Sequence, residues 1–469
     1  MFIGRQREIS ELERLYASDR FQCVVMYGRR RVGKTALISE FIKDKKTVYF
    51  TGQETSAKDN LESLSQSIFT LSNDFIASTP VFTGFNEALE TVFNIAQNRR
   101  IILAIDEYPY LENSYPGISS LLQILIDKHK DSSKLFIILC GSSLSFMENQ
   151  VFGHKSPLCG RRTAQFGILP FDFAQTKEYF ANSNFNREDI ALLFGITGGM
   201  PHYLSLMDKN FSVEANIKQH FLTTSGYFFE EPGTLIKQEC CEPAPYNAII
   251  SAIASGASRL SVISSKVGME SDLCSNYITK LISIGIVKKE HPFKESTSRK
   301  AIYTLDDGMF RFWYRFIPDN MALIRRGETD FIYEQILPQF PAYMSGVFEE
   351  ICKQYLWQQN LAKELPFMFT DAGRWWGTDK RKNTEYEIDI IAANREKAIF
   401  AECKWTNEHV GRKAIDALTG RSGLFNYSRK YFYLFAKEGF TDGLVQKIGA
   451  NIKLISYQDM WEFEIISEN

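Results

Sequence analysis

The sequence lacks a long uncharged apolar run, and no stretch approaches the roughly 20 residues that a membrane-spanning helix needs. Charged residues also stand within the first eight positions, a pattern that excludes a secretory signal peptide. These two absences predict a cytoplasmic protein that has no membrane partner.

Cysteine and histidine are too scattered to indicate a disulfide framework or a zinc site. The eight cysteines include no CxxC pair, several of them stand in apolar runs, and the six histidines show no zinc-ligand spacing. The cysteines are therefore predicted to be reduced core residues, as is typical of a cytoplasmic protein.

An excess of positive charge is also missing, because 54 Lys and Arg face 56 Asp and Glu, for a net charge of −2. Such a balance gives no global attraction to a polyanion. Hydrophobic content of 44% is ordinary for a globular chain, and 469 residues predict about three domains.

The sequence does contain a GxxxxGKT pattern, which stands between an apolar run (Phe21–Tyr27) and a helical pattern (Ala36–Ile42). A strand that leads into a glycine loop and then a helix forms a phosphate cradle, because backbone N–H groups and the helix dipole point at the ligand. Lys34 is expected to reach the β and γ phosphates, and the Thr35 hydroxyl is expected to complete a Mg²⁺ shell. The predicted nucleotide-binding loop comprises Gly28, Arg29, Arg30, Arg31, Val32, Gly33, Lys34 and Thr35.

Two acids follow the continuous apolar run Ile101–Ile105, which is typical of a strand buried on both faces. Asp106 is expected to hold Mg²⁺ through water, and Glu107 is expected to polarise the attacking water. The alternative is that these acids only cap a helix that follows a core strand.

Two further sites in this half are predicted, each with a plain structural alternative. Ser142 follows a third buried strand, Leu135–Cys140, and is a candidate sensor of the γ-phosphate, although short turns after strands also favour serine. Arg161 and Arg162 are candidates for an arginine finger, supplied in cis or in trans, and the alternative is two solvated loop arginines.

The amino-terminal segment Gly4-Arg5-Gln6-Arg7-Glu8 resembles the GRxxE box that precedes the phosphate loop in AAA+ and STAND-type ATPases. Thr197-Gly198-Gly199-Met200-Pro201 resembles the GxP element of the STAND group, whose proline lies near the adenine. Together with the LCGSS and PLxGRRT segments, these motifs make residues 1–225 similar to the archaeal-type ATPase family. The resemblance implies one ATP site in an α/β core with a helical lid, Pro201 beside the base, and an ATP-driven switch.

The middle of the chain contains three short helical patterns followed by two strand-like segments. After a predicted linker at residues 226–244, the helical patterns are Tyr246–Ala254, Leu260–Val267 and Ser271–Ile284, and the strands are Ile286–His291 and Lys300–Leu305. Three helices and a two-stranded ribbon indicate a winged helix-turn-helix. The predicted basic residues of the ribbon are Lys288, Lys289, Lys294, Arg299 and Lys300.

Two functions of this predicted winged helix stay open. A basic wing often follows phosphates, and Lys280 would add to that footprint. The third helix, however, exposes few side chains suited to base edges, and winged helices in STAND-like ATPases also act as internal couplers.

Near the carboxyl end, two strand-like segments carry acids and a lysine. Glu402 and Lys404 point to the same face of one strand because side chains alternate with a period of two. If that strand pairs with Glu387–Ile391 as a hairpin, Asp389 and Glu402 can jointly hold a divalent metal, and Lys404 can orient the attacking water.

The spacing from Asp389 to Glu402 and Lys404 resembles that of the PD-(D/E)XK nuclease family, although Ile388 replaces the usual proline. The resemblance implies a further acidic metal ligand on the helical pattern Gly346–Gln358, for which Glu349 is our choice. A tail without an evident basic channel, and the chance that a short acid–x–Lys strand arises without function, favour an inactive nuclease-like fold instead.

The sequence thus predicts a multidomain α/β protein. Residues 1–225 form a P-loop NTPase parallel sheet with a helical lid, residues 226–320 a linker and winged helix-turn-helix, and residues 321–469 a restriction-endonuclease-like domain. The predicted partners are ATP with Mg²⁺ and nucleic acid, with DNA favoured over RNA, and an oligomer is not assigned. The alternatives are an ATP-dependent binding module, a signalling scaffold and a transcription regulator.

Overall fold

A computed structural model describes residues 2–71, 80–142, 146–147, 151, 153, 156–240, 242–295, 300–379, 382–446 and 449–463. Arg299, predicted for the basic loop, lies outside these residues. The chain divides into two compact units: unit 1 comprises Met1–Phe171 and Met200–Leu206, and unit 2 comprises Asp172–Gly199 and Met207–Asn469. The domain boundaries at residues 225 and 320 stay a prediction.

The helices of the described residues are as follows, in chain order. They are α1 (Gln6–Ala17), α2 (Lys34–Ile42), α3 (Ala57–Thr70), α4 (Phe85–Asn98), α5 (Tyr108–Ser114), α6 (Ile118–His129), α7 (Phe173–Tyr179), α8 (Arg187–Thr197), α9 (Pro201–Leu206), α10 (Val213–Phe221), α11 (Glu231–Glu239), α12 (Pro243–Ala254), α13 (Leu260–Val267), α14 (Ser271–Ser283), α15 (Gly308–Phe316), α16 (Met321–Ile324), α17 (Thr329–Ile336), α18 (Phe340–Leu361), α19 (Arg412–Ser422), α20 (Asp442–Val445) and α21 (Tyr457–Glu462). None of the helices in the described ranges combines the length and apolar character that crossing a membrane would require.

Unit 1 is built on a parallel five-stranded sheet with the order β2-β3-β4-β1-β5. Its strands are β1 (Gln22–Tyr27), β2 (Thr47–Thr51), β3 (Ile101–Asp106), β4 (Leu135–Gly141) and β5 (Ala164–Gly167). Both faces of β3 and β4 are buried throughout, as their continuous apolar sequences require. Because the strands are parallel, the carboxyl ends of β1, β3 and β4 meet at one edge, and the predicted α/β architecture with a parallel sheet is confirmed.

The helices of unit 1 cover this sheet with apolar stripes. In α4, the buried residues Phe85, Leu89, Val92, Phe93 and Ala96 recur at helical spacing and join one core with strands β1 to β4. The loop between β1 and α2 therefore starts and ends on elements that are fixed by core packing.

The middle of unit 2 contains the predicted helices as α12, α13 and α14, and the predicted ribbon as the antiparallel pair β6 (Val287–Glu290) and β7 (Ile302–Leu305). The predicted linker differs from expectation because it contains α11. Pro232 lies in the first turn of α11, where a missing N–H costs nothing, and Leu235 and Ile236 are buried. Glycine and proline marked a break in pattern there, but burial of these aliphatic side chains stabilises a short helix.

A separate five-stranded sheet with the order β12-β11-β10-β9-β8 lies in the carboxyl-terminal part of unit 2. Its strands are β8 (Asp371–Asp379), β9 (Thr384–Ala393), β10 (Lys397–Lys404), β11 (Arg429–Ala436) and β12 (Ile452–Ser456). Strands β8, β9 and β10 are antiparallel, whereas β10, β11 and β12 are parallel. The predicted hairpin between the strands that carry Asp389 and Glu402 is confirmed.

Candidate functional site

The loop between β1 and α2 contains two glycines with positive φ angles, which residues other than glycine rarely adopt. Gly28 has a φ of +154°, and a Cβ atom there would lie 2.4 Å from the Ile168 carbonyl oxygen. Gly33 has a φ of +90° and directly precedes α2, whose N-terminus opens toward the loop. The loop therefore has the shape and the dipole of an anion-binding turn.

Lys34 lies beneath this loop and is only 6% exposed. Its Nζ donates to the carbonyl oxygens of Gly28 at 2.8 Å and of Arg29 at 3.0 Å. Burial lowers the pKa of Lys34, and the charges of Asp106 and Glu107 act in the opposite direction. The ammonium group is thus held by neutral acceptors that an anionic phosphate oxygen would outcompete.

Thr35 and Asp106 come together at the carboxyl edge of the sheet. The Thr35 hydroxyl donates to Asp106 Oδ2 at 2.7 Å, and the hydroxyl of Tyr49 on β2 donates to the same oxygen at 3.0 Å. Hydroxyl and carboxylate oxygens are hard donors of the kind that Mg²⁺ prefers, so Thr35 and Asp106 fit the ion. Burial and the charge of Asp106 raise the pKa of Tyr49 to about 12.

Glu107 has a left-handed backbone, with a φ of 50° and a ψ of 45°, at the residue before α5. Its N–H bonds Asp106 Oδ1 at 3.0 Å, and its Oε2 accepts from the Ser142 hydroxyl at 2.9 Å. A non-glycine residue in this conformation is strained, and such strain concentrates at functional positions. The structure thus brings together two residues that were predicted separately, Glu107 as the residue that polarises water and Ser142 as the sensor of the γ-phosphate.

The arginines of the loop and Pro201 contact aromatic and apolar neighbours within unit 1. Arg30 donates to the Tyr110 hydroxyl at 2.8 Å, and Arg31 donates to the Tyr203 hydroxyl at 3.2 Å. A Cβ atom on Gly33 would lie 3.9 Å from Pro201, so the proline of the predicted GxP element lies against the loop.

Arg161 and Arg162 lie at the opposite edge of the sheet. They precede β5, and the β1–β5 register places the start of β5 level with Val24. Arg162 stands two residues before that point, level with Gln22, so Gly28 lies six residues further along the strand direction, roughly 20 Å away at about 3.3 Å per residue. Arg161 forms a bidentate pair with Asp127, at 2.7 and 3.0 Å. The structure does not bring either arginine to the loop of its own chain, and a role across subunits stays a prediction.

The sequence did not identify Tyr49 and Arg5 as residues of this site. Tyr49 reaches Asp106 because Thr51 is in register with Asp106 and Tyr49 shares its face two residues earlier. Arg5 is buried, and its Nη2 donates to the carbonyl oxygens of Val32 at 3.1 Å and Leu169 at 2.6 Å. The GRxxE pattern marks Arg5, but its contact with the loop depends on tertiary structure.

In unit 2, Asp389 and Glu402 face each other across β9 and β10, one step beyond the Ile390–Ala401 pair. Asp389 Oδ2 accepts from the Cys403 backbone N–H at 2.8 Å. The two Glu402 oxygens accept from Lys404 Nζ at 2.7 Å and from Arg421 Nη1 at 2.8 Å. The hairpin therefore collects two carboxylates and a lysine, as predicted, and adds Arg421 from α19.

Glu349 on α18 joins this group electrostatically. Burial and then the charge of Asp389 raise the pKa of Glu349 to about 7, and burial and then the charge of Glu402 raise the pKa of Asp389 to about 6. Arg374 on β8 forms an ion pair with Glu387 and lowers the pKa of Glu349. Carboxyl groups that hinder each other's ionisation in this way gain from a cation.

The described residues contain no group of three or more His, Cys, Asp or Glu side chains in a metal-binding arrangement. In the carboxylate group of unit 2, both Glu402 oxygens are engaged by cationic side chains. The donor chemistry of Asp389, Glu402 and Glu349 fits a hard divalent ion, but Glu402 would have to exchange a partner for it.

A parallel sheet with a glycine loop, a buried lysine, and a threonine hydrogen-bonded to a strand-end aspartate defines a P-loop nucleoside triphosphatase. A family model for an ATPase domain predominantly from Archaea matches residues 2–207, and a model for archaeal and bacterial proteins of unknown function matches residues 313–415.

Individual proteins are also similar to this chain. An uncharacterized protein of Methanocaldococcus jannaschii is 32% identical over 410 residues, which cover 86% of this chain and 88% of that protein. An uncharacterized ATP-binding protein of the same organism is 46% identical over 46 residues, which cover 10% of this chain and 78% of that protein. The structure of the Walker-type ATPase of Pyrococcus abyssi matches with a TM-score of 0.53 at 19% identity. The match covers 67% of this chain and 96% of the Pyrococcus chain, so the two share a fold. The chain belongs to the archaeal-type ATPase family.

Proposed function

We propose that the chain is an ATP-driven switch, in which Mg²⁺-dependent hydrolysis of ATP in unit 1 controls a nuclease-like carboxylate site in unit 2. The observation that carries the first half is the convergence of Lys34, Thr35 and Asp106 at the carboxyl edge of the sheet. Each of these side chains now hydrogen-bonds a group of the protein that the phosphates or Mg²⁺ would replace. Nucleotide binding therefore requires only an exchange of local hydrogen-bond partners.

The proposed hydrolysis uses residues that are already ordered by hydrogen bonds. Lys34 leaves the two loop carbonyls and donates to the phosphate oxygens, while Thr35 and Asp106 would hold Mg²⁺. When bound, this ion neutralises charge on the phosphates. Glu107 takes a proton from the attacking water, whose oxygen bonds the γ-phosphorus as the bond to the β–γ bridging oxygen breaks. ADP and phosphate leave, and Ser142 keeps the Glu107 carboxylate in place.

A Glu107→Gln variant tests this mechanism. It keeps the shape of the side chain, so we expect ATP affinity within about threefold of wild type and a loss of hydrolysis of about 100-fold or more. The control is Glu40→Gln, which changes an exposed glutamate of α2. Steady phosphate release by Glu107→Gln at the wild-type rate would exclude the assigned base.

The three helices α12 to α14 and the β6–β7 ribbon support a winged helix, and the partners of its lysines favour a role inside the chain. Lys288 pairs with Glu290 at 2.6 Å, Lys300 pairs with Glu295 at 2.7 Å, and Lys294 donates to the Asn394 carbonyl at 3.3 Å. Lysines with such partners contribute less to a phosphate footprint. We therefore favour an intramolecular coupler over a sequence reader.

The nuclease-like assignment of residues 321–469 rests on the hairpin that pairs Asp389 with Glu402 and on Lys404 beside them. In that proposal, Asp389 and Glu402 would hold a divalent ion with Glu349, and Lys404 orients the water that attacks a phosphodiester. The second candidate is an ATP-dependent regulator whose tail does not cut. The engagement of both Glu402 oxygens by Lys404 and Arg421 favours this alternative.

Incubation with plasmid DNA and Mg²⁺ or Mn²⁺ separates the two candidates. Cleavage that disappears in Lys404→Ala supports the nuclease. DNA affinity in fluorescence anisotropy without cleavage supports the regulator, and an RNA substrate of matched length tests the preference for DNA.

A further inference from the structure

A backbone irregularity in the carboxyl-terminal sheet occurs at Asp389. Gly373 pairs with Ile391 and Trp375 pairs with Ile388, so Arg374 alone stands opposite Asp389 and Ile390. An extra residue in one strand is a β-bulge, which bends the strand and changes the direction in which a side chain points.

The consequence of the bulge is visible in the core. Ile388 and Ile391 are three residues apart and would face opposite sides of a regular strand, yet both are buried in one cluster. The bulge between them changes the phase of β9. This phase change sets the face of the sheet on which Asp389 lies.

The β6–β7 hairpin packs on this bulge. Phe293, which follows β6, is buried in the same cluster as Ile388, Ile391 and Trp375. Its backbone N–H donates to the carbonyl oxygen of Arg374, the residue opposite the bulge, at 2.8 Å. The indole N–H of Trp376 donates to the Lys300 carbonyl on the other side of the hairpin loop at 3.2 Å.

We infer that Phe293 is a positioning residue for the carboxylate site: its ring and its N–H hold the β8–β9 bulge, and the bulge directs Asp389 toward Glu402. This inference deepens the proposed function and rests on it only for the identity of the ligand, a divalent cation. The ribbon of the predicted winged helix is then a part of the site that it controls. Displacement of the hairpin therefore changes the position of the Asp389 side chain without any substitution of a carboxylate residue.

The experiment compares Phe293→Ala, Phe293→Leu and Lys289→Ala in the full chain. The first readout is the exchange rate of the Cys403 amide, which donates to Asp389. This rate is measured by hydrogen-exchange mass spectrometry with peptides that end on either side of Cys403. The second readout is Mn²⁺ affinity by calorimetry. We expect Phe293→Ala to speed Cys403 exchange by about tenfold and to weaken Mn²⁺ by a similar factor, while Phe293→Leu restores most of both.

Lys289→Ala is the matched control, because Lys289 is exposed on β6 of the same hairpin, and it is expected to leave both readouts unchanged. Unchanged exchange of Cys403 in a folded Phe293→Ala protein would overturn the inference. If Phe293→Ala does not fold, Phe293→Leu decides, with about threefold faster exchange expected and wild-type exchange as the contrary result. Failure of the wild type to bind Mn²⁺ contradicts the proposed metal site, whereas the exchange comparison still tests Phe293.

Discussion

Replacement of Lys34 by methionine removes the ammonium group but keeps an unbranched apolar side chain in its place. A charge-assisted hydrogen bond to phosphate contributes about 1.5–3 kcal/mol, which corresponds to roughly 10- to 150-fold in affinity. Lys34 must first give up its bonds to the Gly28 and Arg29 carbonyls, so the lower part of this range applies. We expect Mg-ATP affinity to fall about 10- to 30-fold.

The free energy of unfolding should change less than the affinity. The two loop carbonyls lose a donor, which costs about 1–3 kcal/mol, but the variant also no longer buries a charge whose pKa is lowered by burial. The net loss of stability is therefore expected below about 2 kcal/mol.

Calorimetric titration with Mg-ATP and urea unfolding measure these two effects. Lys43→Met is the control, because Lys43 is exposed at the end of the same helix. Wild-type ATP affinity in Lys34→Met would refute the phosphate-cradle assignment, and global unfolding would show that the lysine is structural.

Three further predictions follow from packing, charge and hydrogen bonding. In Gly308→Ala, the new Cβ would lie 2.4 Å from the Gly195 carbonyl oxygen, so urea unfolding should show a free energy of unfolding lower by about 1–3 kcal/mol. The control Gly346→Ala, whose Cβ would have no atom within 4 Å, should be neutral or stabilising. Equal effects of the two substitutions would contradict the packing argument. The pKa of Glu349 is raised from 4.5 to about 7, so its contribution to stability is fully present below pH 4.5 and is lost as the pH rises through about 7. In EDTA, the free energy of unfolding of Glu349→Gln should therefore match that of wild type at pH 4.5 and exceed it at pH 8 by up to roughly 3 kcal/mol. A difference that does not depend on pH would refute the shift. Tyr49→Phe removes one hydrogen bond to Asp106 and should change Mg-ATP hydrolysis by about tenfold without unfolding the protein, whereas wild-type kinetics would show that Tyr49 does not tune the carboxylate.

Local sequence patterns predicted the parts of the fold that depend on periodicity. The apolar runs before Gly28 and Asp106 specify strands buried on both faces, and their common parallel direction places both residues at one edge. The hairpin of Asp389 and Glu402 is likewise implied by two short alternating strands separated by a turn. The phosphate loop and the acids near it were thus predictable as a set.

The features that the sequence did not reveal depend on register or on long-range packing. Tyr49 belongs to the nucleotide site only because β2 aligns with β3, and no local pattern fixes that alignment. Arg421 reaches Glu402 from a helix, and the bulge at Asp389 requires the hairpin loop that packs on it. The helix in the predicted linker was missed because two buried aliphatic residues outweigh the local signals of proline and glycine.

The guanidinium group of Arg5 ties the turn of the phosphate loop at Val32 to the chain segment at Leu169 that follows the edge strand β5. A single nitrogen, Nη2, thereby bonds two separate segments of the chain, while the other terminal nitrogen of the guanidinium, Nη1, donates to Glu8 Oε1 at 3.3 Å. Lysine at this position would retain the charge but would have one nitrogen, instead of two, for these three acceptors. The stiffness of the nucleotide pocket is consequently set in part by a residue outside the glycine motif, and fusions that strain the first helix are expected to loosen it.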